Sequence, residues 1–513
     1  MVAANFPWLT VLVALPAAGA ALLGFVPPLR RSAGRLVALA IALVELALGV
    51  YAAATAFNWS APASYQLYES RTWIPQMGVT WSLGVTSLGL VMILLALALV
   101  PIVLVAGWDE NEDRGAYPAL VLALQAFMVL IFGAYDLVVF YVAFEAMLVP
   151  LYLMIGRYGV GDEAARHKAA MKFLLYSLFG GLVMLGGIIY LWAKASATPM
   201  DVTTFFRMDQ LTQVLPNLPV SMQMVIFATF MVAFAIKAPM VPVHTWLPDT
   251  AAVARPGTSV LLVGVLDKIG TFGMITMCLQ LTPGASAAAK WVMCVLAVIS
   301  ILWGGLSANG QNDIMRLVSY TSVSHFGFMV LGIFIGSEIA LVGAMFYMVA
   351  HGVSIAAMFL LSGWLSKRGG TQDMRDYVGM QRVTPVLAGL WLMSGLASIA
   401  LPGLSGFVPE YLVLMGTWTV SGPLALFAVL GVVIAAMYIL MPYQRVFTGA
   451  PGKGKEDLAD LGAHERGVMT PLVVAMLVLG IWSAPLVSAL TPVAQDLDLA
   501  NSQVPAAAEG SAQ

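Results

Sequence analysis

The chain has 513 residues, 60% of them hydrophobic and only 10% charged, with a mean hydropathy of +0.90 and a formal net charge of −2. Charged residues make up about a quarter of an ordinary soluble domain, so this composition excludes a water-soluble globular enzyme. It also supplies no basic surface for nucleic acid.

A helix that crosses a bilayer needs about 20 apolar residues. Runs of that kind are centred near 16, 45, 93, 125, 147, 182, 234, 268, 297, 326, 351, 398, 433 and 479. They predict an all-α polytopic membrane protein with about fourteen transmembrane helices and little chain left for soluble domains. The opening MVAANFPW has neither a basic n-region nor a small-residue cleavage site, so the first span is expected to be retained. The tail 491–513 has no apolar periodicity and is expected to be disordered. With the N-terminus outside, eighteen of the 24 Lys and Arg residues fall in inward loops, among them Arg30, Arg31, Arg114, Arg166 and Lys453. Only Arg71, Lys194, Arg207 and Lys290 fall in outward loops. Positive charge stays on the cytoplasmic side, which puts both termini in the periplasm. The two remaining cations, Lys237 and Lys268, lie inside spans.

Ionisable side chains in hydrocarbon are the candidates for function. Lys237 is followed at once by prolines (KAPMVPVHTWLPD, 237–249). An ammonium in a span costs at least about 2.5–3.5 kcal/mol, and each proline removes a helical hydrogen bond, so this charge sits where a membrane helix breaks. Glu145 lies near the middle of the fifth span (136–156), with Asp136 at its outer end. In the eighth span Asp267 precedes Lys268, and neighbours in sequence face different sides of a helix. Glu410 follows ALPGLSGFVP (400–409), a second interruption, 173 residues after Lys237. Five-span blocks with breaks at matching places suggest inverted repeats. The expected organisation is a three-span segment 1–115, a first five-span repeat 116–283, an inverted second repeat 284–447, a loop and final span 448–490, and the tail 491–513. Carbonyls freed at Pro239, Pro242, Pro402 and Gly403 need protein or water partners.

His325 and His351 fall within the tenth and eleventh spans and have a ring that suits proton exchange near neutral pH. His244, His464 and His167 lie nearer helix ends or in polar loops and are poorer candidates. Each site also has a plainer reading. Lys237 and Lys268 could snorkel to an interface, Glu145 could be a fixed counter-ion, Glu410 could cap its half-helix, and the histidines could glue helices together. Cys278 and Cys294, both in apolar runs, are too few for an iron–sulfur cluster and no CxxC accompanies them. Without a Walker lysine loop or a strand followed by GxGxxG, redox or nucleotide chemistry belongs to other chains.

Six segments in order carry a family resemblance over nearly the whole chain. They are FYVAFEAMLVPLYLMIG around Glu145, KFLLYSLFGG (172–181), FAIKAPMVPVHTWLPD around Lys237, VLLVGVLDKIGTFG around Lys268, SYTSVSHFGF around His325 and LPGLSGFVPEYLVL around Glu410. Together they resemble the antiporter-like membrane subunits of respiratory complex I. Glutamate at 410, where the related subunits typically carry lysine, makes the chain most similar to the middle of the three. The resemblance implies proton translocation, with Glu145 paired to Lys237, Lys268 and His325 continuing a central axis, His351 a weaker member, and Glu410 as the exit or lateral-transfer group. It implies no cofactor in this chain, with NADH, FMN, iron–sulfur clusters and quinone in partner subunits. Related antiporter-like subunits would stand on either side in a bacterial cytoplasmic membrane. An Mrp-type cation/proton antiporter or a membrane-bound hydrogenase is the alternative on the same fold, and a structural spacer that moves no proton is a third. Two places depart from the family pattern: TAAVARPGTS (250–259), and Asp267, where an apolar residue is more usual.

Overall fold

The computed structural model describes residues 6–108, 116–195, 203–452 and 454–502. Arg114 and Lys453 of the inward-loop cations, and the last eleven residues of the expected tail, lie outside them. Among the described residues thirteen helices are long and apolar enough to cross a membrane. The twelfth expected span is also present, as two shorter helices, Pro385–Ser398 and Phe407–Val420. The spans do not share burial equally. Throughout their most apolar windows the eighth (Pro256–Leu279) and eleventh (Glu338–Gly369) are buried by other helices. Those two therefore form the centre of the bundle, and an ionisable group on either is shielded from lipid.

Proline and glycine decide where the spans break. Pro150 has no N–H to give the Ala146 carbonyl, and the fifth span divides at Met147 into Leu137–Ala146 and Leu148–Gly156, two residues beyond Glu145. The seventh span ends as a helix at Lys237 and restarts as Trp246–Val253. Its freed groups find protein partners: the Trp246 indole donates to the Ile236 carbonyl at 3.0 Å, Met240 N to the Ala235 carbonyl at 3.0 Å, and Val241 N to Ser300 Oγ at 3.0 Å. The restarted piece is tethered through Asp249, which receives Lys172 from the sixth span at 2.6 Å and Arg316 from the tenth at 2.7 Å. In the twelfth span Ala400 and Gly403 take positive φ, and Gly480 of the last span packs its bare Cα against the Gly403 and Leu404 backbone. A side chain at 480 has no room there. The eighth span is irregular in another way, with π-helical turns over Leu262–Leu266 and Met274–Leu279 on either side of a short α-turn Lys268–Gly273. Such wide turns re-aim side chains and recur at functional sites.

Two features depart from the sequence reading. An antiparallel hairpin, Gln66–Ile74 with Val79–Val85, joins the second and third spans, turning through Gly78 at φ 71°. It clamps helix starts: Glu69 accepts Leu9 N at 2.8 Å, and Thr80 donates to Asp136, which also accepts Val138 N at 2.9 Å. Asp136 is thereby an N-cap with its carboxylate occupied. The expected disordered tail is corrected at its start, since a helix Ala484–Ser502 runs through it with Leu490, Val493, Ala494 and Leu497 buried. Its apolar face docks against the eleventh and third spans.

Candidate functional site

Glu145 and Lys237 come together between the fifth, sixth and seventh spans. The sixth span makes room for them with adjacent glycines. A methyl carbon at Gly181 would overlap Glu145 Oε1 and stand 2.5 Å from its carboxyl carbon, and one at Gly180 would stand 3.1 Å from Ala233 Cα. Gly181 therefore seats the carboxylate while Gly180 lets the seventh span approach. Lys237 is 1% exposed, with its ammonium over the Phe173 ring at 5.6 Å. Neither its Nζ nor Glu145 Oε1 has a hydrogen-bond partner among the described residues. Each lies within Coulomb range of the other, and Asp267 lies within range of Lys237 as well. Buried this deeply inside the protein, the ammonium is not that of a lysine snorkelling to an interface.

A second group of ionisable side chains fills the centre. Lys268 Nζ donates to the Val263 carbonyl that the π-turn leaves open, lies 2.7 Å from His351 Nδ1, and stacks over Phe326 at 5.3 Å. The His351 and His325 ring centroids are 5.0 Å apart. His325 Nε2 is 3.0 Å from the Tyr438 hydroxyl, and its ring is 5.8 Å from Tyr347. Tyr347 Oη donates to Glu410 Oε2 at 2.8 Å. Glu410 sits in the first turn of its half-helix, where the helix dipole favours an anion. All of these groups are buried. Hydrogen-bond distances thus join Lys268 to His351, His325 to Tyr438 and Tyr347 to Glu410, while the steps from His351 to His325 and from His325 to Tyr347 are ring approaches with His351 Nε2 and His325 Nδ1 left without a hydrogen-bond partner among the described residues.

The structure brings Glu145 to Lys237, and Lys268, His351, His325 and Glu410 into one line. His351 is the direct neighbour of Lys268, a closer role than its weaker standing in the sequence suggests. Tyr347 and Tyr438 were missed. Tyr347 lies four residues before His351, hence on the same helix face, which was a usable signal; Tyr438 in AAMYILMPY reads as an ordinary interface aromatic. His244 is buried near Tyr320 but apart from the line, and His167 is exposed beside Glu163. Cys278 and Cys294 are buried free thiols. Among the described residues no group of three His, Cys, Asp or Glu could hold a metal ion.

Comparison with known proteins bears on this geometry. Residues 134–435 match the family model described as NADH:quinone oxidoreductase/Mrp antiporter, TM. The chain is 40% identical to NADH-quinone oxidoreductase subunit M of Mycobacterium tuberculosis, over 96% of this chain and 94% of that one. To the protein of the same name in Pseudomonas aeruginosa it is 35% identical, over 93% and 94%. A chain of respiratory complex I from Thermus thermophilus superposes with a TM-score of 0.86 at 30% identity, covering 96% of this chain and 99% of that one. A chain of the Mrp complex from Dietzia sp. gives 0.83 at 21% identity, covering 96% and 98%, a likeness of fold alone.

Proposed function

The chain belongs to the transmembrane family shared by NADH:quinone oxidoreductases and Mrp antiporters, and from that premise we propose that it carries protons across the membrane as subunit M of an NADH:quinone oxidoreductase. The observation that carries this reading is the buried line of ionisable side chains from Lys268 through His351 and His325 to Glu410, with Glu145 and Lys237 beside it. The 30% identity to the complex I chain, against 21% to the Mrp chain, together with the 40% identity to a subunit M, favours the redox-driven assembly over the antiporter.

In this reading the chain does no redox chemistry. NADH, FMN, iron–sulfur clusters and quinone belong to partner subunits, and related antiporter-like subunits flank it in a bacterial cytoplasmic membrane. The loop cations support an orientation with both termini periplasmic. Matching breaks after Lys237 and before Glu410 support two inverted repeats, 116–283 and 284–447. Glu145 holds the Lys237 ammonium. When that contact loosens, charge in the first half changes the field at Lys268, and a proton there moves through His351 and His325 to Glu410. The tyrosine hydroxyls of Tyr347 and Tyr438 hold the last imidazole and the carboxylate in line.

The test is proton uptake into liposomes holding the assembled complex, wild type against Glu410→Gln, at equal NADH oxidation. Loss of uptake or of coupled turnover supports the reading. Unchanged uptake makes Glu410 a helix-terminal charge with no part in transfer.

A further inference from the structure

The two groups of the site are separate: among the described residues no hydrogen bond joins Lys237 to Lys268. We propose that Asp267 closes this gap as a second carboxylate partner of Lys237, one that passes a proton toward Lys268. The proposal rests on the proton-carrying reading above.

Packing places Asp267 at the end of the seventh helix. Gly273 lies against the Phe234 ring, and Gly270 lies so close to the helix end that a Cβ there would be 2.6 Å from both Phe234 O and Ala238 N. Later positions on the seventh span thus face earlier ones on the eighth, so the two run antiparallel. Asp267 is three residues before Gly270 and shares its face. One further turn brings it level with the break, where Lys237 is the last helical residue. Lys268, rotated away by its place one residue on, points instead to Val263 and His351.

The chemistry of Asp267 is that of a group with something to exchange. It is wholly buried, and neither carboxylate oxygen has a hydrogen-bond partner among the described residues. A buried carboxylate without donors is strongly disfavoured unless a cation or a proton neutralises it. Two cations lie within Coulomb range, Lys237 and Lys268. With Lys237 as the ammonium, Glu145, Lys237 and Asp267 together are neutral when one carboxyl group holds a proton. With the Lys237 ammonium on Glu145, that proton is on Asp267. When the ammonium moves to Asp267, the Asp267 O–H bond breaks and an N–H bond forms on Lys268, which has already given its own proton to His351. Glu145, left without its cation, takes up a proton from the input side. One proton is gained at Glu145 and one delivered to Lys268, with no net change in charge on the three groups. Among the described residues the charged groups within range of Asp267 are Lys237 from the seventh span and Lys268 from its own, with Glu145 of the fifth span reaching it through Lys237 and His351 of the eleventh through Lys268.

The experiment uses the assembled complex in liposomes with Asp267→Asn, Asp267→Glu and Lys237→Ala, each assayed for protons taken up per NADH oxidised. Asp267→Asn should lower uptake through this chain by about tenfold or more, as loss of a proton-transfer group does, and Asp267→Glu should restore most of it. Wild-type uptake in Asp267→Asn, with Lys237→Ala defective, overturns the role of Asp267 alone. Wild-type uptake in Lys237→Ala overturns the proton-carrying reading itself. Infrared spectroscopy adds a readout that a packing role would not move: the band of a protonated carboxylic acid should vanish in Asp267→Asn. If that variant does not assemble, the same band must shift between wild type and Asp267→Glu, and an unshifted band overturns the proposal.

Discussion

Gly181→Ala tests the seat of Glu145 without touching an ionisable group. The added methyl carbon would stand 2.5 Å from the carboxyl carbon and overlap Oε1. Restoring ordinary contact takes a withdrawal of about 2 Å. For charges ~6 Å apart at an effective dielectric of ~20, moving to ~8 Å lowers the attraction of Glu145 for Lys237 from about 2.8 to about 2.1 kcal/mol, close to a threefold change in how the ammonium is shared. Overpacking adds about 1–3 kcal/mol of destabilisation, which an extensively packed chain in an assembled complex absorbs. The expected outcome is an assembled complex whose proton uptake falls a few-fold at equal NADH oxidation. A thermal melt supplies the second arm: in a Glu145→Ala background the overlapping atoms are gone, so the added methyl should destabilise little. Equal destabilisation by Gly181→Ala in both backgrounds, or uptake unchanged from wild type, would refute the argument.

Two further substitutions probe the break and the far end of the line. Trp246→Phe removes the indole donor and leaves the Ile236 carbonyl unsatisfied one residue before Lys237, at a cost of about 1–3 kcal/mol; a lowered melting temperature together with impaired uptake is expected, and unchanged stability would mean another donor reaches that carbonyl. Tyr347→Phe deletes the hydroxyl that donates to Glu410, a bond to a charged acceptor worth about 1.5–3 kcal/mol. Coupled turnover should fall by about tenfold or more, and turnover within twofold of wild type would show that Glu410 does not depend on it.

The spans were legible because hydrocarbon imposes one rule on them, about 20 apolar residues with every backbone group satisfied internally. The breaks after Lys237 and before Glu410 were legible for the same reason, since Pro239, Pro242 and the 400–409 segment cannot continue a helix, whereas the division of the fifth span at Met147 and the wide turns of the eighth were not read. The hairpin at Gln66–Val85 escaped because QLYESRTW alternates only weakly and its partner strand merges with the apolar run of the third span. The helix Ala484–Ser502 escaped because its apolar face is only a few residues wide and Pro492 interrupts it. Within the site, charge in a span is conspicuous, so Glu145, Lys237, Lys268 and Glu410 stood out at once. Partners were another matter. That Lys268 meets His351 before His325, that Tyr347 holds Glu410, and that Gly181 makes a seat for Glu145 depend on contacts between helices far apart in sequence, and nothing in the local pattern of Tyr438 or Gly181 announces them.

The size of these couplings says what kind of machine the chain belongs to. Against a potential of about 200 mV, moving one proton across costs about 4.6 kcal/mol. Drawing a pair of opposite charges from ~6 to ~12 Å apart at a dielectric of ~20 changes its energy by about 1.4 kcal/mol. One switch such as Glu145 with Lys237 therefore cannot lift a proton alone. Three switches of that size in series would reach only about 4 kcal/mol. Even that falls short of the cost, so the push has to come from outside such an axis. A line of modest, serially coupled sites suits a chain driven by its neighbours, and it gives a physical reason for keeping so many ionisable groups in the middle of so apolar a protein.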